Sequence, residues 1–216
     1  MQALFLAHLL SDFALQFDWM IRAKQRGPQG VAPHIAVVAA MTLLAVAPAF
    51  GRWWPAALFV IITHALIDVA KVALDHRAGR FRLPLFYLDQ ALHALMVVGA
   101  TLLVAGRLDE ELWTIPTRFW TVALGYTLVV FVLGILLRVH LVTDRFESRW
   151  LGVGERALVM TLALFVSPFL AVLPPLAHIA LWRLSGRKAT RGAWIEVALG
   201  SLAALVGGLL LRGQVG

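Results

Sequence analysis

The chain has 216 residues, of which 61% are hydrophobic and only 14% are charged, and its formal net charge is +7 at pH 7. Water-soluble domains are about half apolar and about a quarter charged, so this composition excludes an ordinary soluble domain and indicates a polytopic membrane protein. Because the chain contains no cysteine, disulfides, thiolate metal ligands and a cysteine nucleophile are also excluded.

The positive charge lies mainly in the gaps between apolar runs. In a soluble chain this charge would suggest nucleic acid as a partner, whereas membrane proteins carry excess Lys and Arg in their cytoplasmic loops. We therefore expect membrane lipids as partners and no nucleic acid. The N-terminal run lacks the basic start of a signal peptide and contains His8 and Asp12, so we expect a retained helix there.

The apolar runs are long enough to cross about 30 Å of hydrocarbon at about 1.5 Å per residue. They predict an all-α fold, a polytopic transmembrane helical bundle of about six to eight membrane helices with a broken or hairpin segment near 155–184. A shorter apolar piece, 175–184, follows Pro174. In chain order, the runs are 2–20, 33–50, 54–74, 85–106, 119–140, 155–173 and 193–212.

The whole chain, 1–216, is predicted to form a single integral membrane domain, with a four-helix part at 1–106 and C-terminal helices at 107–216. When the runs alternate in direction and 155–184 enters and returns, 15 Lys and Arg fall on one side and 4 on the other, out of 19. The side with more of these residues is expected to be cytoplasmic. This assignment places both chain ends outside.

Ionisable residues spaced four apart occur inside three of the apolar runs. The pairs are His8 with Asp12, His64 with Asp68 and, in the reverse order, Asp89 with His93. Because positions i and i+4 share one face of a helix, each pair presents an imidazole beside a carboxylate. The reversed pair lies on a helix that runs the opposite way, so we expect the imidazoles in one layer and the carboxylates in a second layer, about 5–6 Å nearer the cytoplasm.

A fourth pair with the same spacing, His140 with Asp144, lies where a run ends. Arg138, Arg145 and Arg149 surround it in the sequence. We interpret this pair as an interfacial salt-bridge patch and not as part of the membrane-embedded group.

The three pairs inside the membrane have three interpretations. Each Asp could bond to a His on a neighbouring helix and hold the bundle together. The residues could instead line a path for protons or ions. They could also bind a divalent metal, because an unpaired carboxylate at mid-membrane costs on the order of 3 kcal/mol and because imidazoles with carboxylates suit zinc, manganese or iron. The metal site would comprise His8, Asp12, His64, Asp68, Asp89 and His93.

Several other polar residues lie close to these pairs in the sequence. Gln16 and Gln90 are within a turn of the carboxylate layer and could orient water or bond to the backbone. Lys71 could bind an anionic head group or extend toward the membrane surface. His34, at a helix start, could be a further ligand or a capping residue, and Asp18 fits a charge at a helix end.

The motifs that carry these residues resemble those of the bacterial membrane proteins grouped as domain-of-unknown-function family 3307. They are His8 to Gln16 with Asp18 and Trp19, His64 to Asp68 with Lys71, Leu88 to His93, Gly152 to Arg156, and Glu196. The resemblance covers nearly the whole chain and implies a multi-pass protein of the bacterial inner membrane. The sequence is also similar, by analogy, to membrane-bound metal-dependent hydrolases with His-x-x-x-Asp motifs.

We therefore predict a membrane-embedded metal-dependent hydrolase of a lipid-linked ester or phosphoester near the cytoplasmic face. Water activated by the metal would be the nucleophile, and Asp12, Asp68 or Asp89 would be the base. Glu155 and Arg156, expected to begin a helix at the inner surface, could bind the substrate head group, although a Glu stabilised by the helix dipole explains the same position. A proton or metal-ion transporter or channel, and a structural subunit of a membrane complex, are the alternatives.

Overall fold

The computed structural model describes residues 1–75, 77, 81–104, 114–141, 149–186 and 189–215. Over these residues the chain is helical and contains no strand, which confirms the predicted all-α fold. In the same residues, four helical stretches are long and apolar enough to cross a membrane. The chain divides into two compact units, Met1–Thr114 and Ile115–Gly216, and the single membrane domain stays a prediction.

The described residues of the first unit form five α-helices. They are α1 (Gln2–Leu9), which continues as a π-helix over Leu10–Ala14, α2 (Asp18–Lys24), α3 (Ala32–Val46), α4 (Phe50–Asp75) and α5 (Arg82–Leu103). Helices α3 and α5 each contact both α1 and α4. These four helices therefore form a closed bundle, and one face of each helix lines its interior.

The chain bends sharply between α1 and α2, which differs from the continuous span expected over 2–20. The segments Gln2–Ala14 and Asp18–Lys24 meet at 85°. Three of the seven residues in α2 are charged, so a straight continuation would carry those charges along the apolar path. The bend leaves Asp18 exposed while Met20 is buried.

Helices α3 and α4 form a hairpin. A short 3₁₀ turn, Ala47–Ala49, joins them without a break in the helical backbone. The two helices pack against each other, and the imidazoles of His34 and His64 meet across the pair. The predicted runs 33–50 and 54–74 thus correspond to two antiparallel helices.

The second unit is built around its last helix. Its elements are α6 (Thr117–Thr127), a π-helix (Leu128–Val132), α7 (Leu133–Leu141), α8 (Arg149–Thr161), a π-helix (Leu162–Val166), α9 (Leu173–Leu184) and α10 (Arg191–Val215). Helix α10 contacts α6, α7 and α8. A broken segment near 155–184 was predicted, and the structure confirms it.

The break follows from the sequence at Ser167 and Pro168. Ser167 is extended, with φ −152° and ψ 129°, which is the region that a following proline favours. After the break, Pro174 and Pro175 lie in the first turn of α9, where a missing N–H costs no helical hydrogen bond. Helices α8 and α9 then pack against each other.

Small residues allow α10 to approach α8 closely. Gly200, Ala204 and Gly208 recur every four residues on the buried face of α10. A Cβ at Gly208 would lie 2.7 Å from the Cβ of Ala163 and 2.9 Å from the carbonyl oxygen of Met160. This spacing of small residues is typical of close helix pairs in membranes.

The substitution Gly208→Ala should therefore destabilise the second unit. The added methyl meets backbone and cannot be accommodated by a change of side-chain rotamer, so we expect a loss of about 1–3 kcal/mol in the free energy of unfolding, measured by thermal or denaturant unfolding in detergent. Gly154→Ala in α8 is the control, since a Cβ there has no neighbour within 4 Å. Equal stability of the two variants would contradict the close approach.

Candidate metal centre

Four imidazoles meet in the interior of the first unit, one from each helix of the bundle. His34, His64 and His93 have 0% exposure, and His8 is also buried. Ring centroids are 4.2 Å apart for His64 and His93, 5.2 Å for His34 and His64, and 5.3 Å for His8 and His93. Polar side chains this deep in a bundle require polar partners or a ligand.

Asp12 forms a nearly equilateral triangle with two of these imidazoles. Its Oδ1 lies 3.3 Å from His34 Nε2 and 3.4 Å from His64 Nε2, and the two Nε2 atoms are 3.1 Å apart. Ligands of a tetrahedral metal at about 2.0–2.1 Å are separated by about 3.3–3.4 Å. The three atoms therefore match one face of a tetrahedral site.

Asp68 lies opposite that face. Its Oδ2 is 3.6 Å from His34 Nε2 and 3.8 Å from His64 Nε2. The same oxygen accepts a hydrogen bond of 2.6 Å from Lys24 Nζ. Asp68 therefore lies next to the open fourth position of the site, with its charge already compensated by a lysine.

A second buried carboxylate, Asp89, lies beside His93. Asp89 Oδ2 accepts hydrogen bonds from Lys71 Nζ at 2.8 Å and from Gln90 Nε2 at 2.9 Å. His93 Nδ1 donates to the carbonyl oxygen of Asp89 at 2.8 Å, which leaves Nε2 with its lone pair free to bind a ligand. A backbone carbonyl holding the far ring nitrogen is the arrangement commonly found behind metal-binding histidines.

Several buried atoms of this cluster have no hydrogen-bond partner. In the part of the chain that the structure describes, they are His8 Nδ1, Asp12 Oδ1, His34 Nδ1, His64 Nδ1, Asp89 Oδ1 and His93 Nε2. Leaving such an atom unsatisfied costs about 1–3 kcal/mol. Three groups of residues place ligand atoms within 4.8 Å of one another, so these clusters could hold a metal ion: His8, Asp12 and His64; His34, His64 and Asp68; Asp68, Asp89 and His93.

The charges of the cluster do not balance. The cluster has three carboxylates and two lysines. Asp68 and Asp89 each form an ion pair with a lysine, whereas Asp12 forms none with a lysine of the described residues. With neutral imidazoles, one negative charge remains, and it lies at the triangle with His34 and His64. A cation at that triangle would compensate it.

The other predicted site residues lie at different places. Gln16 is half-buried, and Asp18 is exposed at the first residue of α2. Glu155 and Arg156 lie in the second unit; α8 begins at Arg149, so neither residue starts a helix as expected. For the predicted patch at His140, Asp144 lies outside the described residues.

Sequence reasoning missed Lys24 as a member of the site. It was grouped with the basic residues of an inner loop, whereas it is the last residue of α2 and contacts a carboxylate 44 residues away. A charged residue in a short helix that follows a spanning segment gives no spacing pattern with that carboxylate. Only the bend after α1 brings the two together.

One comparison with known proteins gives a match. The model of a family described as "Protein of unknown function (DUF3307)" matches residues 1–121. No curated protein and no solved structure matches the chain. The matched range includes all five helices of the first unit and therefore every residue of the His and Asp cluster.

The triangle predicts which variants lose metal. Zinc or manganese added to chelator-treated protein should raise its melting temperature, because a ligand at 100 times its dissociation constant stabilises the folded state by about 2.7 kcal/mol. His34→Gln, His64→Gln and Asp12→Asn should each remove most of this stabilisation, and their effects should not add. Metal content and thermal unfolding are the measurements.

His140→Gln is the matched control, since His140 is an exposed imidazole of the second unit. Its metal content and its melting temperature with metal should equal those of the wild type. Wild-type protein that is purified without chelator, carries no stoichiometric metal and gains no stability from added metal would exclude the site.

Proposed function

The chain belongs to the DUF3307 family of proteins of unknown function, and we propose that it is a metal-dependent hydrolase embedded in the bacterial inner membrane. Its substrate would be a lipid-linked ester or phosphoester reached from the cytoplasmic side. The residues that would bind metal are His8, Asp12, His34, His64, Asp68, Asp89 and His93. The metal would be zinc, manganese or iron, which suit nitrogen and oxygen ligands.

One observation carries this proposal, namely the triangle of His34, His64 and Asp12 with Asp68 opposite it. Two histidines and one carboxylate with an open fourth position are a ligand set of catalytic zinc sites, whereas structural sites are closed by four protein ligands. Because Lys24 already occupies Asp68 Oδ2, Asp68 is suited to act beside the metal and not as its fourth ligand.

A bound divalent cation would supply Lewis-acid activation of water. Asp68 would be the general base, since its Oδ2 lies within 4 Å of the Nε2 atoms of the two histidines that would hold the cation. Lys24 holds the carboxylate in place through a contact of 2.6 Å. Asp68, Asp89 and His93 form a second group whose ligand atoms could hold a further cation.

The lysines support an anionic substrate. The side chain of Lys71 is 27% exposed, and its Nζ lies 2.8 Å from Asp89 Oδ2 and 5.6 Å from the ring centroid of Phe86. Apolar side chains such as Leu66 and Leu95 cover the outer faces of α4 and α5. A phosphate group near the lysines, with acyl chains along these helices, would fit both features.

The test is turnover by detergent-solubilised protein without any gradient. Purified full-length chain loaded with zinc or manganese would be given chromogenic p-nitrophenyl phosphodiesters and long-chain p-nitrophenyl esters. Asp68→Asn should lower kcat by about 10²–10⁴-fold with metal retained, since removal of a general base has that effect. Asp12→Asn should lose metal and activity together.

Asp75→Asn serves as the control, because Asp75 ends the same helix as Asp68 seven residues later. It should leave kcat unchanged. Absence of turnover in detergent, together with gradient-driven ion flux in liposomes that Asp68→Asn abolishes, would replace the hydrolase by a transporter.

A further inference from the structure

A second group of buried ionisable residues lies in the second unit, Ile115–Gly216. It surrounds a small cavity of about 10 Å³. Charged residues inside a membrane bundle are costly and are usually functional. The cavity is lined by Arg138, Gly152, Glu155, Arg156, His178 and Glu196.

Glu155 joins two neighbouring helices through its carboxylate. His178 Nδ1 of α9 donates a hydrogen bond to Oε2, and Ser201 Oγ of α10 donates one to Oε1. Because the proton of His178 is used at Nδ1, its Nε2 carries the lone pair. That Nε2 is buried and has no partner, in a residue that is only 5% exposed.

The two arginines of the cavity are held in place by other groups. Arg156 Nη1 and Arg138 Nε lie 3.5 Å and 3.2 Å from Glu196 Oε1. Arg156 Nε donates to the carbonyl oxygen of Val130 at 3.0 Å, inside the π-helix Leu128–Val132. Glu155 accepts its hydrogen bonds from His178 and Ser201, and its charge also acts on Arg156.

Three glycines make room for Arg156. A Cβ at Gly134 would lie 2.0 Å from Arg156 Nη2, one at Gly152 would lie 3.2 Å from Nη1, and one at Gly200 would lie 3.3 Å from Cδ. The guanidinium therefore lies in a slot of backbone from α7, α8 and α10. Such tight packing fixes the charge that faces the cavity.

The cavity suits one water molecule. A buried water needs about 10–15 Å³ and two to four polar partners, and the lining offers an imidazole, two carboxylates and two guanidinium groups. The side chain of Arg138 is 22% exposed, so this side of the cavity is the one nearest to the outside of the unit. A water there would connect His178 with the Arg138 and Glu196 pair.

We propose that Glu155, His178 and the cavity water form a proton-binding site of the second unit. A proton that arrives through the water binds His178 Nε2, and the imidazolium then donates from both nitrogens, with Glu155 as its counter-charge. This site does not depend on the hydrolase proposed for the first unit. Its occupant is a proton and not a divalent cation, because two arginines face the cavity.

The charges around His178 support reversible uptake. They come from α7 (Arg138), α8 (Glu155 and Arg156) and α10 (Glu196), and with a neutral imidazole they sum to zero. Uptake of one proton gives the group a single positive charge beside a carboxylate. Both states are therefore close to neutral, which a low-dielectric interior requires.

Trp182 provides the measurement. Its ring is buried one turn after His178 on α9, with the ring centroids 4.6 Å apart in an edge contact. Protonation of the imidazole should quench the fluorescence of Trp182 as the pH is lowered. The quench should be absent in Trp182→Phe and in His178→Gln. Over the same pH change, His178→Gln should take up about one proton per chain fewer than the wild type.

Two variants should move the pH midpoint of the Trp182 fluorescence quench in opposite directions. Glu155→Gln removes the counter-charge and should lower the midpoint by about 1–3 pH units. Ser201→Ala removes a donor to the carboxylate, which makes Glu155 a stronger partner for the imidazolium, so the midpoint should rise. His140→Gln, an exposed imidazole of α7, should leave it unchanged.

The outcomes separate proton binding from a purely structural network. Opposite shifts in Glu155→Gln and Ser201→Ala, measured on full-length protein in detergent, support the site. A quench that persists in His178→Gln, or a midpoint that is the same in wild type and Glu155→Gln, overturns it. If His178→Gln does not fold, the two midpoint shifts alone decide.

Discussion

The burial of carboxylates among apolar helices is the constraint on which the first unit depends. A carboxylate taken out of water is stable only beside a compensating charge with good geometry. Asp68 obtains this from Lys24, and the sharp bend after α1 is what brings that lysine back. Gly27, with φ 136°, turns the chain there, and Gly30 passes so near Ala23 that a Cβ would lie 1.8 Å from its carbonyl oxygen. The backbone path at this end of the bundle follows from the charge inside it.

Spacing along the sequence found the buried residues of the first unit but not their partners. The distance within the helix is 3.9 Å for His8 and Asp12, longer than the 3.3 Å between Asp12 and His34 on another helix. The pair His64 and Asp68 in the regular helix α4 behaves alike, with 3.8 Å between its atoms. Periodicity predicts one face of one helix, whereas partners depend on how helices pack.

In the second unit, the short apolar piece after Pro174 and the Lys and Arg count predicted the broken segment, but no sequence pattern indicated the buried cluster. His178 is a single histidine in a short apolar helix, and no spacing links it to Glu155, which lies 23 residues earlier. Glu155 was expected at a helix start because the apolar run begins at 155, whereas α8 begins at Arg149. The family match ends at residue 121, so it covers the His and Asp cluster and not this one.

The glycine slot around Arg156 has a consequence for how relatives of this chain can vary. The slot is made of backbone, so an added methyl at Gly134 and the guanidinium cannot share the space between α7 and α8. Relatives that keep arginine at this position should also keep glycine at 134, and relatives with a larger residue at 134 should have exchanged the arginine for a shorter side chain. Positions 134, 152, 156 and 200 should therefore change together or not at all.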